Sequence, residues 1–505
     1  YRRKLRNHVA CLSGCLSSEL QRAIAAGDEY RDLMEFYQQI FQDYYYIEIQ
    51  QHLLREQKSL SGIEDEEDKK FAKLQKRNNR VLWDLAAEYK LPVAITNDCH
   101  YLLKSDHMAH DLMLAMQTGA KLEDPKRFRF NGDDYWLMPG DHMARKFTTE
   151  HWKRGLAGVN HLVDAVNIDI PEFNSKVFHI PAYGVNSIEV IAETCRSVLR
   201  KRKYPQVYWD RFEKEIDIIR KANFADEILV VKDYVEAART GALNNGVPVE
   251  VGGGRGSMVG VLVSYLLGIT DRDPIEFDLS FERAINPERP SLPDFDVDFA
   301  DVDRPLVFKY LQERWGEDCI AQVGTYGTLQ PRALVKDALR TLGVDFQTTN
   351  AITALIPAQI EENSLKRKIT IQDVLDSEQI PEKLVELFTE YPWLPKALTR
   401  LQGMIKNVST HAAGVVITDK RKPVSKYLPK MLVGPKDHRI MVTQYDMYSL
   451  GPIGFIKFDV LGLSTLSIVK QCKEFIGHDP FAGVDIFRDP DTLAMLDRGD
   501  GPTHF

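Results

Sequence analysis

The sequence predicts a multidomain α/β protein. Three features lead there. Helix-period and strand-period segments alternate over the first 165 residues. A glycine-rich turn near residue 255 leads into an apolar run. Strand patterns stand on both sides of a helical stretch from about 327 to 412. The chain has 505 residues, 44% of them hydrophobic and 27% charged. That is the balance of a globular protein with room for roughly three or four domains.

Along the first segment, Ile47-Glu48-Ile49 reads as a strand after the aromatic run Tyr44-Tyr45-Tyr46. Lys69 to Tyr89 carries apolar residues at helical spacing, and Leu91 to Thr96 reads as a buried strand ending at Asn97-Asp98. Helix followed by strand is the order of a parallel α/β layer. In the second segment, a charged helix around Tyr208 to Ala222 precedes the apolar run Ile228 to Val231, read as a strand. Asn244-Asn245-Gly246 marks a turn, Val247 to Val251 reads as a short strand, and Met258 to Leu267 as a buried helix. From 327 to 412 the pattern is helical, punctuated by Pro357, Pro381 and Pro392. Strand patterns return at Gly414 to Ile417, Met441 to Gln444 and Phe455 to Asp459, as though one domain were split by another.

Composition excludes some classes. The longest apolar stretch, Met258 to Ile269, is too short to span a bilayer. No charged-then-apolar signal segment opens the chain. Tyr1 is not an initiator Met and the sequence stops at Phe505, so a piece of a longer protein is expected. Six cysteines without a C-x-x-C pair argue against a zinc ribbon or a disulfide framework, and for reduced thiols in the cytoplasm. A net charge of -8 runs against a uniformly basic, nucleic-acid-binding surface. The basic runs Arg200 to Lys203 and Lys366 to Lys368 read as solvated faces.

Three elements carry chemistry. Gly252 to Ser257 allows either a tight turn under a packed helix or a phosphate cradle, in which Arg255 adds fixed positive charge. It is neither a dinucleotide fingerprint nor a Walker loop. In Pro293-Asp294-Phe295-Asp296-Val297-Asp298-Phe299, alternation puts the three aspartates on one strand face. Like charges in such a row call for cations or arginines. Neighbours on that face stand about 6.7 Å apart, a separation at which two carboxylates can flank a metal pair, while Asp294 and Asp298 at about 13 Å cannot share one ion. Lys457 and Asp459 share one face of a third strand. A phosphate turn, two carboxylates on one strand and a third on a neighbour fit two-metal phosphoryl transfer.

These residues resemble the C-family polymerases, the alpha subunits of bacterial DNA polymerase III. The likeness runs through Gly254-Arg255-Gly256-Ser257, Tyr265 to Thr270, Asp273 to Leu279, Phe281-Glu282-Arg283 and Asn286-Pro287-Glu288-Arg289. It continues through Pro293 to Phe299, Thr325-Tyr326-Gly327-Thr328, His411 to Ile417, Thr443-Gln444-Tyr445-Asp446 and Lys457 to Leu463. Leu12-Ser13-Gly14-Cys15, Thr96 to Tyr101 and Leu122 to Phe130 resemble the second half of that family's PHP domain. Met258 and Val259 depart from the small residues that usually follow the Gly-Ser pair.

The resemblance implies the C-terminal part of an α/β barrel-like PHP domain over 1–165. It implies a polymerase-beta-like nucleotidyltransferase palm over 166–326 and 413–464, a helical thumb inserted at 327–412, and the start of the fingers at 465–505. Asp294, Asp296 and Asp459 are then the catalytic ligands of two Mg²⁺ ions. Arg255, Gly256, Ser257, Arg283, Arg289 and Lys457 face the incoming nucleotide, and Arg332, Lys336 and Lys406 touch DNA phosphates. Asp98, His100 and Cys15 match part of a PHP metal cluster, which would take Zn²⁺ or Mn²⁺ if its missing ligands were supplied. Without them a structural PHP role is expected. The implied substrates are primer–template DNA and deoxynucleoside triphosphates. The implied partners of the longer protein are a sliding clamp, a clamp loader and a proofreading exonuclease. An error-prone relative, a PHP-type phosphoesterase and a non-catalytic DNA-binding fragment are the competing readings.

Overall fold

A computed structural model describes residues 8–52, 66–168, 179–183, 186–284, 295–362, 365–377, 380–482 and 489–499. The chain divides into two compact units, Tyr1–Ile170 with Thr328–Lys406, and Pro171–Gly327 with Asn407–Phe505.

In the first unit, β1 (Cys11–Leu12), β2 (Tyr45–Gln50) and β3 (Val93–Thr96) form a parallel sheet in that order. The long helix α1 (Glu66–Glu88) precedes β3, as its apolar spacing predicts. Ile47, Ile49, Leu82, Leu85, Val93 and Ile95 share one core. Helix α2 (His107–Thr118) joins a different core, placing Leu112 and Met116 with Leu334, Leu339, Leu384 and Leu398 from the helical stretch after residue 330. That stretch is not wholly helical, because Gln359–Glu362 pairs antiparallel with Leu365–Lys368. Helix α3 (Thr149–Ala165) lies against β3 through glycines: a Cβ on Gly158 would stand 1.9 Å from the Val93 carbonyl oxygen.

The second unit opens with a helix over Ser187–Arg202, whose last turn holds Arg200, Lys201 and Arg202. There the basic run complements the helix dipole. Helices α4 (Gln206–Ala222) and α5 (Ala225–Arg239) follow. Next in the chain come β4 (Phe295–Ala300), α6 (Arg304–Trp315), β5 (Ile320–Thr328) and β6 (Ile405–Ile417). The hairpin of β7 (Lys430–Val433) and β8 (Ile440–Thr443) leads to β9 (Phe458–Leu463) and α7 (Ser464–Ile476). The strands make one mixed six-stranded sheet in the order β4–β9–β6–β5–β8–β7. Phe295, Val297, Phe299, Phe458 and Val460 enter the same core as Val307 and Leu311 of α6. On the alternate positions Val323 and Val416 join a smaller cluster with Leu428 and Phe455.

The structure corrects four local expectations. Ile228 to Val231 belongs to the fifteen-residue helix α5, not to a strand. A four-residue apolar run carries no period of its own, and both faces of that helix are covered. Val247 to Val251 contributes only the isolated bridge Val251↔Phe299. Pro248 has no N–H to give a ladder. Met258 to Leu267 is a short 3-10 turn, Ser257–Gly260, then a helix of Leu262–Leu266 only. The break falls beside Gly260, where a Cβ would meet the Ser280 carbonyl oxygen at 2.6 Å. Finally, the strand expected from Phe455 starts at Phe458, because Phe455 itself turns into the smaller cluster.

Glu227, in the first turn of α5, is fully buried and neither carboxylate oxygen has a hydrogen-bond partner. Burial pushes its pKa from 4.5 to about 8. The folded protein therefore holds a proton there that the unfolded chain releases. Its contribution is complete below pH 4.5, shrinks as pH rises, and is lost by about pH 8. Glu227→Gln is expected to flatten this slope, raising the thermal midpoint at pH 8.5 while changing it little at pH 4. Gly158→Ala is expected to cost about 1–3 kcal/mol in denaturant unfolding, since the helix must back away from β3.

Candidate active site

The site forms where β4 and β9 run side by side. Their parallel register pairs Asp296 with Asp459, one residue abreast of the other. Neighbouring strands are about 4.8 Å apart, and register partners project from the same face. The two carboxylates thus meet across the strand boundary, closer than two carboxylates along one strand. On β4 the alternation holds: Phe295, Val297 and Phe299 are buried, while Asp296 and Asp298 are half-buried.

Two such charges need compensation. Lys457 supplies part of it, its Nζ lying 2.6 Å from Asp459 Oδ2. The other oxygen, Asp459 Oδ1, is buried without a hydrogen-bond partner. A carboxylate oxygen in that state is costly unless a cation satisfies it. Asp298, next on the strand, is ion-paired to Arg255 at 3.2 Å. It has a partner of its own and is not part of the carboxylate pair.

The glycine turn closes the site from one side. Gly252 N–H donates to the Asp298 carbonyl at 2.8 Å, bringing the turn onto β4. Gly256 has φ +64°, and a Cβ there would lie 3.1 Å from Asp296 Oδ2. Only glycine combines that backbone with that approach. The buried helix expected directly after the turn does not start there, because the 3-10 turn Ser257–Gly260 follows instead, so no helix dipole backs the turn. What remains for an anion is the set of backbone N–H groups and Arg255. The turn is braced from below by α4. Glu215 accepts the N–H groups of Leu262 and Val263, and Arg211 donates to the carbonyls of Gly260 and Leu279 while pairing with Glu215 at 2.7 Å. Burial pushes the Glu215 carboxyl up, against the pull of Arg211 and both N–H groups.

Two contributors were missed from sequence. His411 Nδ1 accepts the N–H groups of Ala413 and Gly414, at 3.2 and 2.7 Å. This ties down the stretch of β6 where Gly414 pairs with Asp459. Tyr234 of α5 is fully buried and its hydroxyl has no partner. Burial, then the charges of Asp459 and Asp296, drive its pKa upward, so the phenol stays neutral. Neither residue carries a local signal, since each acts through contacts distant in the chain.

Of the other predicted residues, Asp294 and Arg289 lie outside the described residues. Arg283 is exposed on the turn Phe281–Arg283, which adjoins Ser257–Gly260. Arg332 and Lys336 stand exposed on the helix Pro331–Thr341, and Lys406 reaches that helix by an ion pair with Asp337. Lys336 also lies 5.7 Å from the Phe346 ring. Asp98 and His100 meet each other at 3.1 Å, with the His100 ring 4.4 Å from Phe130. Among the described residues, no set of three or more His, Cys, Asp or Glu side chains is placed to hold a metal, so Cys15 does not complete a trio with them. Nor is any helix among them long and apolar enough to cross a membrane.

A mixed α/β sheet with two abreast carboxylates at a glycine turn defines the class. Comparison with known proteins narrows it. Residues 188–462 match the family model described as the bacterial DNA polymerase III alpha NTPase domain. The DNA polymerase III subunit alpha of Thermus aquaticus is 30% identical over 98% of this chain and 44% of its own length. That of Aquifex aeolicus is 32% identical over 83% of the chain and 38% of its own, and that of Escherichia coli 30% over 94% and 39%. The chain belongs to the bacterial DNA polymerase III alpha family, and it spans less than half the length of these curated relatives.

Tyr234→Phe tests the geometry behind the carboxylates. Removing an unpartnered buried hydroxyl is expected to leave stability unchanged or raise it by up to about 1 kcal/mol in urea unfolding.

Proposed function

We propose that the chain is the nucleotidyl-transfer core of a replicative DNA polymerase, acting on primer–template DNA and deoxynucleoside triphosphates. The observation that carries this reading is the register pairing of Asp296 with Asp459, one of whose oxygens is buried and unsatisfied, against the glycine turn. The palm comprises 166–326 and 413–464, the thumb 327–412, and the start of the fingers 465–505. Residues 1–165 are the C-terminal part of a PHP domain with a structural role. The protein works in the cytoplasm, and in its longer form with a clamp, a clamp loader and an exonuclease.

The residues present fit a divalent cation, and Mg²⁺ is the ion proposed. Asp296 and Asp459 would hold it, with Asp294 as the third ligand. Bound there, the metal supplies a Lewis acid that lowers the pKa of a primer hydroxyl and neutralises charge on the leaving pyrophosphate. The protein's own contribution is positioning. Backbone N–H groups of Gly256 and Ser257 receive triphosphate oxygens, and the missing Cβ of Gly256 leaves Asp296 Oδ2 accessible. Arg255, held by Asp298, and Lys457, held by Asp459, set fixed positive charge on either side. Arg283 and Arg289 reach the same nucleotide. Holding the reacting groups in line is where most of the rate arises in such transfer. Arg332 and Lys336 on the helix Pro331–Thr341, with Lys406 paired to Asp337 of that helix, offer cations to the DNA backbone.

Primer extension with Mg²⁺ tests the assignment. Asp296→Asn and Asp459→Asn are each expected to lower the rate by on the order of 10²–10³-fold or more. Mn²⁺ binding followed by electron paramagnetic resonance gives a readout independent of turnover, and each variant is expected to weaken it. Near-normal extension and unchanged Mn²⁺ binding would remove these carboxylates from the chemistry.

A further inference from the structure

A cleft of about 730 Å³ lies in the second unit; His411 lines it, while Asp296 and Asp459 do not. It runs beside α6, whose Val307 and Leu311 share a core with the face of β4 and β9 opposite Asp296 and Asp459. The hairpin β7–β8, at the far edge of the sheet, forms its other wall. Four cations line it: Arg304 and Lys309 from α6, Lys430 from β7, and Arg439 in the hairpin loop beside the start of β8.

The cleft exists because β6 leaves β9 early. The two strands pair at Phe458↔Val415 and Asp459↔Gly414, and Arg304 Nε takes the next carbonyl along, that of Val460, at 2.8 Å. Its guanidinium lies 4.8 Å from the Phe308 ring, which orients it. Nη2 of the same group is buried and has no hydrogen-bond partner. Lys430 is 14% exposed, yet its nearest carboxylate is Asp318 at 4.0 Å, on a side chain that is 88% exposed. Arg439 has no ion pair among the described residues. Three exposed acids also line the cleft: Asp301, which accepts a hydrogen bond from the Ser467 hydroxyl, and Glu317 and Asp318 on the turn after α6. Among the described residues none of the three is ion-paired to Arg304 or Arg439. Lys309 and Arg439 are exposed, and Lys309 stands 3.7 Å from Glu313, so the weakly partnered burial falls on Arg304 and Lys430, where an anion would offset its cost.

The surroundings indicate which anion. In a chain of net charge -8, residues 419–439 hold seven Lys or Arg against two Asp. Lys436 at the hairpin tip and Lys426 before β7 extend the positive charge beyond the cleft. A free nucleotide would need only the cleft. A duplex would not enter it, since the volume is that of a small-ligand site, within roughly 300–1,000 Å³.

We propose that this cleft and the β7–β8 hairpin bind single-stranded nucleic acid by its phosphates, at a site separate from the carboxylate pair.

Fluorescence anisotropy of a short labelled oligodeoxythymidylate tests this with the whole chain in EDTA. Metal-dependent chemistry is then silent, and failure here is distinct from failure of the polymerase reading. The double reversal Lys430→Glu with Arg439→Glu is expected to weaken binding about tenfold or more and to reduce the slope of log affinity against log salt by about 1.4, for two phosphates lost. Lys430→Gln with Arg439→Gln, which is gentler on folding, should move both readings in the same direction by less. Asp296→Asn should leave both unchanged. Wild-type affinity and slope in the charge variants would overturn the proposal. So would displacement of the oligonucleotide by equimolar dTTP, which would make the cleft a free-nucleotide site.

Discussion

The second unit is organised around an electrostatic problem. Two carboxylates on adjacent parallel strands stand abreast, where like charges repel most strongly. The register cannot relax by one residue to separate them, because a slip would turn Phe295, Val297 and Phe299 out of the core. Hydrophobic burial on one face of β4 therefore enforces charge crowding on the other. Lys457 neutralises one oxygen of Asp459, and the remaining buried oxygen is a standing demand for a cation.

Everything near the pair serves to keep it accessible while holding it rigid. The glycine turn approaches Asp296 without a side chain in between, and the Arg211–Glu215 pair ties down the backbone that follows. Asp298 sits on the same face but pairs with Arg255, which separates its role from that of its neighbour. Tyr234 and Glu227 are buried polar groups without hydrogen-bond partners on the supporting helix. Such groups usually reduce stability, and here they lie in the helix next to the site, where local cost is traded for geometry.

Cationic groups are distributed unevenly in an acidic chain. The run Arg200 to Arg202, conspicuous in the sequence, ends a helix and balances its dipole. The concentration from Lys420 to Arg439 is less conspicuous, being spread over a hairpin and its approach. Folding gathers part of it with Arg304, more than a hundred residues earlier, into one cleft. Net charge was therefore a poor guide to where anions can bind, because it sums over surfaces that never meet.

Much of the site was legible in the sequence. Alternation at Phe295 to Phe299 assigned the aspartate face, because side-chain direction along a strand has a period of two that needs no tertiary information, and the glycines located the turn. Lys457 does pair with Asp459, but from just before β9 rather than from within the strand the sequence suggested. Helix or strand identity of short apolar runs was not legible. Ile228 to Val231 is buried on all sides within a helix, and burial erases the period that distinguishes the two. The length of the helix after the glycine turn was also hidden, since its break depends on the Ser280 carbonyl packing against Gly260. Which strand lies beside β4 was a tertiary decision. Asp459 is 163 positions from Asp296, and only the sheet order and parallel register bring them abreast. Local sequence thus determined which way each carboxylate points. The long-range strand pairing, driven by burial of the opposite faces, decided that they stand side by side.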